Sequence, residues 1–280
     1  MTEINPAFLQ QQGNIQAAGQ QPKTEKPDNP YNLVMVETAK EVGEIAKSKI
    51  GSMPYRIATA GYSAPPENYE GPTKQFLKNL DLELGTRSTA FVTSPTADAG
   101  SIDAITTEVT GLNKDKLFYA TSQDYVGYIN PSNFPPTIDT VAYSALPKHV
   151  LPNNAEYSKA TAEASNIFVA TGGRNTTVSD FVNAIKHGNK AIILNNPAIE
   201  TPAWGEAKNR VENASKYLTS QINAFKNNQP LPYPEVEGFT KEFMTEHKAE
   251  LNNLVKTITI QDNNPNAIYT AAKEAANFIR

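Results

Sequence analysis

The sequence contains no cysteine and only three histidines, His149, His187 and His247, which lie far apart along the chain. Without thiols the protein cannot form disulfides, hold a metal through thiolates or use a cysteine nucleophile. The three histidines do not have the spacing of a metal site. We therefore expect no metal site and no cofactor.

Long apolar runs and an excess of positive charge are also missing. No stretch approaches the 18 consecutive apolar residues of a membrane span, and residues 1–21 lack the basic and apolar regions of a signal peptide. We therefore expect a cytoplasmic protein that does not bind membranes. The formal net charge of -4 and the pI of about 5.5 provide no basic field for a polyanion, so we do not expect nucleic acid as a partner.

Short apolar runs alternate with longer amphipathic segments from residue 55 onward. The runs end in glycine or small polar residues and are almost free of charge, which is typical of parallel strands covered by helices on both faces. This rhythm predicts an α/β fold, namely a Rossmann-like parallel sheet with N- and C-terminal extensions. The predicted strands are Tyr55–Ala60, Thr89–Thr93, Lys116–Ala120, Asp139–Tyr143, Ile167–Ala170 and Lys190–Leu194.

Composition divides the chain into three parts. Residues 1–30 are rich in Gln, Asn, Pro and Lys and predict a flexible arm. Residues 31–228 form the predicted nucleotide-binding domain, led by a helix that opens at Asp28-Asn29-Pro30 and stops at Gly51. Residues 229–280 begin with a proline-rich strap and continue as two helical or mixed segments, which Asn263-Asn264-Pro265 separates.

Two helices of the predicted domain are especially clear. One runs from about Gly100 to Thr110 and stops at Gly111. The other begins near Thr177 and places apolar residues at helical spacing before Gly188 ends it. The segment Thr177–Asp180 also fits a capping box at the start of this second helix.

Glycine and hydroxyl side chains follow several of the predicted strands. In an open parallel sheet the carboxyl ends of the strands face the ligand, and a helix N-terminus nearby attracts anions. Glycines allow the close approach of a phosphate, an arginine adds a charged donor, and threonines add hydroxyls. The sequence thus predicts a phosphate-binding site formed by Gly61, Ser94, Gly100, Ser101, Gly172, Gly173, Arg174, Asn175, Thr176 and Thr177.

Most of these residues also fit a purely structural role. Two successive glycines can serve only as a tight turn between strand and helix, and Thr176 or Thr177 can cap the helix. Arg174 can be a solvated loop charge. The same holds for Tyr62, Tyr125 and Tyr128, which could stack on a base or pack in the core, and for His149, which follows a predicted strand and could act as an acid or base.

The segment Ser165–Thr176 and the later run Lys190–Asn195 resemble the LOG-like, or lysine-decarboxylase-like, Rossmann family. That family carries the pattern A-D-A-hydrophobic-P-G-G-x-G-T-x-x-E, followed by a helix and K-P-hydrophobic-L-L-N. The resemblance extends loosely from Tyr55 to about Phe225. It implies binding of a nucleotide, and its enzymes cleave the N-glycosidic bond of nucleoside monophosphates. Since such proteins commonly dimerise, it also implies a homodimer.

Three features of the family pattern, including its catalytic arginine before the motif, are not matched in this sequence. Asn175 replaces a glycine, and Ser179 stands at the glutamate position with Asp180 one place later. Residues 148–163, where the family has its catalytic arginine, contain no arginine. We therefore expect a protein that binds a nucleotide or phosphosugar-nucleotide with weak or no hydrolysis. One alternative is an active phosphoribohydrolase in which Asp180 is catalytic. The other is an interaction module with a vestigial pocket.

Overall fold

The computed structural model describes residues 30–96, 98–199 and 210–280, and these residues form one eight-stranded parallel sheet. Residues 1–29 of the expected arm lie outside the described residues. The strands are β1 (Leu33–Met35), β2 (Tyr55–Ala60), β3 (Thr89–Thr93), β4 (Leu117–Ser122), β5 (Lys148–Leu151), β6 (Ile167–Ala170), β7 (Lys190–Asn195) and β8 (Val255–Thr259).

Ten α-helices connect or follow these strands within the described ranges, together with two short 3-10 helices, Gln123–Tyr128 and Pro131–Asn133. The α-helices are α1 (Ala39–Ile50), α2 (Glu70–Leu84), α3 (Ile102–Thr110), α4 (Thr140–Ala145), α5 (Asn154–Ala164), α6 (Asn175–Lys186), α7 (Ala214–Lys226), α8 (Lys241–Glu246), α9 (Lys248–Asn253) and α10 (Pro265–Ile279). Among the described residues, none of these helices has both the length and the apolar character that crossing a bilayer requires.

The strand order is β1-β5-β4-β3-β2-β6-β7-β8, with every neighbouring pair parallel. From β2 the chain first adds β3 and β4 on one side, and it later adds β6, β7 and β8 on the other side. The order therefore reverses between β2 and β6. In open α/β sheets this reversal leaves a crevice beyond the carboxyl ends of the two strands, where ligands bind.

Both faces of the sheet are covered by helices, as the low charge of the predicted strands indicates. Along β2, Ala58 and Ala60 belong to a cluster with apolar residues of α1, α5, α6 and α7, whereas Ile57 belongs to a second cluster with residues of α2, α3 and α10. Strand β6 divides in the same way, with Phe168 in the first cluster and Val169 in the second. The predicted α/β, Rossmann-like fold is therefore confirmed.

Four predicted strands are present with nearly the expected bounds, and β4 is extended to Ser122, but the predicted strand Asp139–Tyr143 is wrong. Asp139 instead caps α4, because its carboxylate accepts hydrogen bonds from the amides of Val141 and Ala142. Tyr143 is buried in this helix, with its ring against those of Tyr119 and Phe134. The strand in this part of the sheet is β5, which starts five residues after Tyr143 and contains His149.

The predicted start of the first helix is also wrong. Leu33–Met35 forms β1, which pairs with β5 at the edge of the sheet. Helix α1 begins only after Thr38, whose side chain accepts from the amide of Glu41 in a capping box. The apolar residues before Thr38 have a spacing compatible with a helix, but pairing with a strand decides their conformation.

The C-terminal segment contributes a strand that the sequence did not indicate. Strand β8 pairs with β7 along its whole length, and α10 packs on α2. The break predicted at Asn263-Asn264-Pro265 is present, since the Asn264 side chain accepts from the amide of Ala267 and caps α10.

Candidate functional site

A cavity of about 260 Å³ opens at the carboxyl ends of β2, β3 and β6, where the strand order reverses. Its floor comes from the ends of β2 and β3, and its walls come from the first turns of α3, α5 and α6 and from the 3-10 helix after β4. The lining residues are Thr59, Ala60, Gly61, Tyr62, Ser63, Ala64, Ser94, Thr96, Ile102, Asp103, Tyr125, Tyr157, Arg174, Thr176, Thr177 and Asp180.

The N-terminus of α6 points its first turn at this cavity. Helix α6 begins at Asn175, two residues before the predicted start, and Arg174 at its N-cap position makes no side-chain cap hydrogen bond. The predicted capping box at Thr177–Asp180 is therefore wrong. The N-terminus of a helix carries a positive potential that attracts an anion, and Arg174, Thr176 and Thr177 line the same wall.

Gly172 and Gly173 lie behind this wall, and protein contacts account for both. Their φ values of 121° and 86° fall in the region that favours glycine. A Cβ on Gly172 would meet the ring of Tyr62, and one on Gly173 would meet the Thr177 hydroxyl and lie 2.7 Å from the Gly61 carbonyl oxygen. The glycine pair thus brings the turn, Tyr62 and α6 together. Its predicted contact with a phosphate stays a prediction.

The other predicted positions are placed as follows. Gly61 and Ser94 line the cavity. Ser101 caps α3 by accepting from the Ala104 amide, and Gly100 precedes it with a φ of 74°. Asn175 accepts from the Val211 amide through Oδ1 and donates from Nδ2 to Glu237. The last three residues thus border the site through protein contacts, one or two positions from lining residues.

Asp103 is a buried carboxylate that fixes the loop after β3. Its Oδ1 accepts from the Thr93 hydroxyl at 2.6 Å and the Ser94 amide at 2.9 Å, and its Oδ2 accepts from the Thr96 hydroxyl. Burial raises the pKa of Asp103, although these three hydrogen bonds act in the opposite direction. Asp103 therefore holds Ser94 and Thr96 against the cavity.

Asp180 is a second buried carboxylate, on the second turn of α6. The Ser158 hydroxyl donates to its Oδ1 at 2.7 Å, and the residue is only 5% exposed although it lines the cavity. Burial raises the pKa of Asp180 to about 7, helped by the nearby charge of Asp103, and the hydrogen bond from Ser158 lowers it. The carboxyl group of Asp180 therefore changes its charge near neutral pH.

Three tyrosines border the cavity in different ways. Tyr157 is buried and lies close enough to both carboxylates for their charges to raise its pKa further above the value that burial alone gives. Tyr62 is also buried and donates from its hydroxyl to the Glu212 carbonyl oxygen at 3.0 Å. Tyr125 is only half-buried, and its ring lies 6.0 Å from that of the exposed Tyr128. Tyr125 is thus the aromatic side chain at the opening.

The mouth of the cavity carries an ion cluster. The Glu212 carboxylate lies 2.8 Å from Arg210 Nε and 3.7 Å from Arg174 Nε. Its segment is fixed to the start of α6, since the Val211 amide donates to Asn175 and the Ala214 amide donates to the Gly173 carbonyl. Arg174 is the cation among the described lining residues.

His149 lies in strand β5 rather than in a loop after a strand. Its ring is stacked on Phe118, and its Nδ1 is 2.9 Å from the Tyr119 carbonyl oxygen. Burial lowers its pKa. Within the described residues, no three histidine, aspartate or glutamate side chains are grouped closely enough to hold a metal ion.

Sequence reasoning missed Thr59, Thr96, Asp103 and Tyr157 as lining residues. Asp103 and Tyr157 stand in the first turns of α3 and α5. Capping and solvation are sufficient explanations of an aspartate at such a position, and no motif of the sequence points to Tyr157. Thr59 and Thr96 lie within three residues of a strand end that the sequence marked. The signal that could have found Asp103 is its place two residues after the Gly100-Ser101 helix start.

No protein-family model matches this chain, and no curated protein matches it.

Proposed function

We propose that the protein binds a nucleotide of about the size of a nucleoside monophosphate in the cavity between β2 and β6. The observation that carries this proposal is Asp180, a carboxyl group that is only 5% exposed and yet lines the cavity, with Ser158 as its hydrogen-bond partner at one oxygen. Burial of a carboxylate costs free energy unless other groups donate hydrogen bonds to it, so a ligand that donates to Asp180 would stabilise it. The position of Asp180 on the cavity wall therefore favours a role in ligand binding.

The cavity has a polarity that suits a nucleotide. Arg174 and the first turn of α6 offer positive potential for a phosphate at one end. Asp103 and Asp180 offer acceptors for donor groups, such as ribose hydroxyls, deeper inside. Tyr125 at the opening offers a ring face on which a base can stack.

The cavity volume favours a small ligand. About 260 Å³ lies just below the range of about 300–1,000 Å³ that is usual for sites of drug-sized ligands. One nucleoside monophosphate or a phosphosugar therefore fits better than a dinucleotide. The resemblance of Ser165–Thr176 to the LOG-like family supports the same ligand class.

Calorimetric titration with AMP, adenosine and inorganic phosphate tests the proposal. We expect AMP to bind more tightly than either fragment, and Arg174→Gln to weaken AMP by about two- to tenfold through the loss of a charged hydrogen bond. Arg87→Gln, which removes an exposed arginine from the turn before β3, is the matched control and should leave AMP affinity unchanged. Absence of binding by AMP and by other nucleoside monophosphates would overturn the proposal.

The pair Asp103 and Asp180 favours a second candidate, hydrolysis of the N-glycosidic bond. Two carboxyl groups in unlike environments, one accepting three hydrogen bonds and the other accepting one from Ser158, are the arrangement that divides acid and base roles. Chromatography of AMP incubated with the protein distinguishes the candidates. Release of adenine that Asp180→Asn abolishes supports the hydrolase, and intact AMP supports binding alone.

A further inference from the structure

The ion cluster at the cavity mouth contains two arginines and one carboxylate. Glu212 is largely buried, with 10% of its side chain exposed, whereas about half of each arginine side chain is exposed. The cluster therefore has a net charge of +1, and its carboxylate is held more firmly than the cations that it contacts.

The backbone fixes Glu212 independently of its ion pairs. Its carbonyl oxygen accepts from the Tyr62 hydroxyl, and the amides of Val211 and Ala214 on either side donate to Asn175 and Gly173. The charge of Glu212 is therefore anchored to the N-terminus of α6, where an anionic ligand is expected.

Arg174 has a looser attachment. Its Nε lies 3.7 Å from Glu212, beyond hydrogen-bond distance, while Arg210 Nε lies at 2.8 Å. Arg174 also lines the cavity, so its guanidinium can turn from Glu212 to a ligand at little cost. Arg210 remains as the partner of Glu212 when this happens.

Resting on the proposed function, we infer that Glu212 determines the charge of the ligand that the cavity accepts. Its carboxylate competes with the ligand's anionic group for Arg174 and repels any further phosphate placed at the mouth. The wild-type cavity therefore disfavours polyphosphates relative to a single phosphate. Removal of the Glu212 charge should improve binding in proportion to the ligand's charge.

Titration of adenosine, AMP and ADP into wild-type protein and Glu212→Gln tests this inference. We expect no change for adenosine, about a two- to fivefold gain in affinity for AMP, as for an ion pair of this exposure, and a larger gain for ADP. Glutamine keeps the size of the side chain and leaves the backbone hydrogen bonds in place.

Glu237→Gln is the matched control for the loss of one negative charge. Glu237 accepts a hydrogen bond from the side-chain amide of Asn175 at the start of the same helix, whereas Glu212 contacts arginines. We expect this variant to change the affinity for AMP and ADP much less than Glu212→Gln does.

The double variant Arg174→Gln/Glu212→Gln shows whether Glu212 acts through Arg174. We expect most of the AMP gain to disappear in this background. If the wild type binds nucleotides but Glu212→Gln improves the affinity for adenosine and ADP equally, or improves neither, the role of Glu212 is overturned and the proposed function stands. Failure of all three probes to bind both proteins would overturn the proposed function as well.

Discussion

The carboxyl group of Asp180 lies where an ionised side chain is least favourable, because it is buried and another carboxylate, Asp103, is nearby. Its raised pKa means that the folded protein holds a proton more tightly than the unfolded chain does. Between the ordinary value of 3.8 and about 7, the contribution of Asp180 to stability therefore decreases as the pH rises. Above pH 7 the loss is complete.

Asp180→Asn should remove this loss, since the amide oxygen can still accept from Ser158. A shift of about three pKa units corresponds to about 4 kcal/mol, which is the upper limit of the gain at high pH. We expect the variant to raise the free energy of unfolding in urea, with a gain at pH 8 that exceeds the gain at pH 5 by up to about 3 kcal/mol.

The same variant should bind AMP less tightly than the wild type. A gain in stability together with a loss of affinity is typical of a residue retained for binding. If Asp180→Asn lowers stability equally at both pH values, Asp180 has a structural role and the main support for the nucleotide site is lost.

The sequence predicted site residues best where their position between a strand and a helix is enough to place them at the cavity. Arg174, Thr176 and Thr177 follow a strand and begin a helix, and the structure brings them to the cavity. Asp103 could not be assigned in the same way, because its burial depends on Thr93 and Thr96 folding over it. Those contacts follow from tertiary packing and leave no local pattern.

At the scale of elements, the turn from β6 to α6 contains Gly172 and Gly173 and leads directly into the N-terminus of α6. The close contacts of Gly173 with Thr177 and Gly61 mean that α6 can approach β2 only if residue 173 lacks a Cβ. This approach is what closes one wall of the cavity.

Gly173→Ala should therefore destabilise the fold by about 2 kcal/mol or more, combining the strain of a positive φ with the displacement of Thr177. Gly127→Ala is the control, because Gly127 has a negative φ and a Cβ there would meet no atom within 4 Å. It should leave stability unchanged or raise it by up to about 1 kcal/mol. Urea unfolding of both variants gives the comparison, and equal stabilities would contradict the packing role of the turn.

Element prediction succeeded for most of the uninterrupted apolar runs, and it failed at both edge strands and at the interior strand β5. Strands β2, β3 and β6 have the predicted bounds because nearly all of their residues are buried on both faces of the sheet. Strands β1 and β8 have exposed residues and no such pattern, so only pairing with β5 and β7 identifies them. Asp139 misled the assignment because its capping role depends on the turn before it.

At the scale of the whole molecule, the reversal of strand order determines where the cavity lies. The sequence predicted a parallel sheet but not the order of its strands, since parallel connections can add a strand on either side. The crossover that places β6 beside β2 brings the start of α6 next to the ends of β2 and β3. Residues from distant parts of the chain thereby face one cavity.

A crystal structure of the protein with bound AMP is the most direct test of the central claim. We predict phosphate density at Arg174 and the first amides of α6, with a ribose hydroxyl within hydrogen-bond distance of Asp180. AMP bound elsewhere on the molecule, or with its phosphate directed away from α6, would contradict the account.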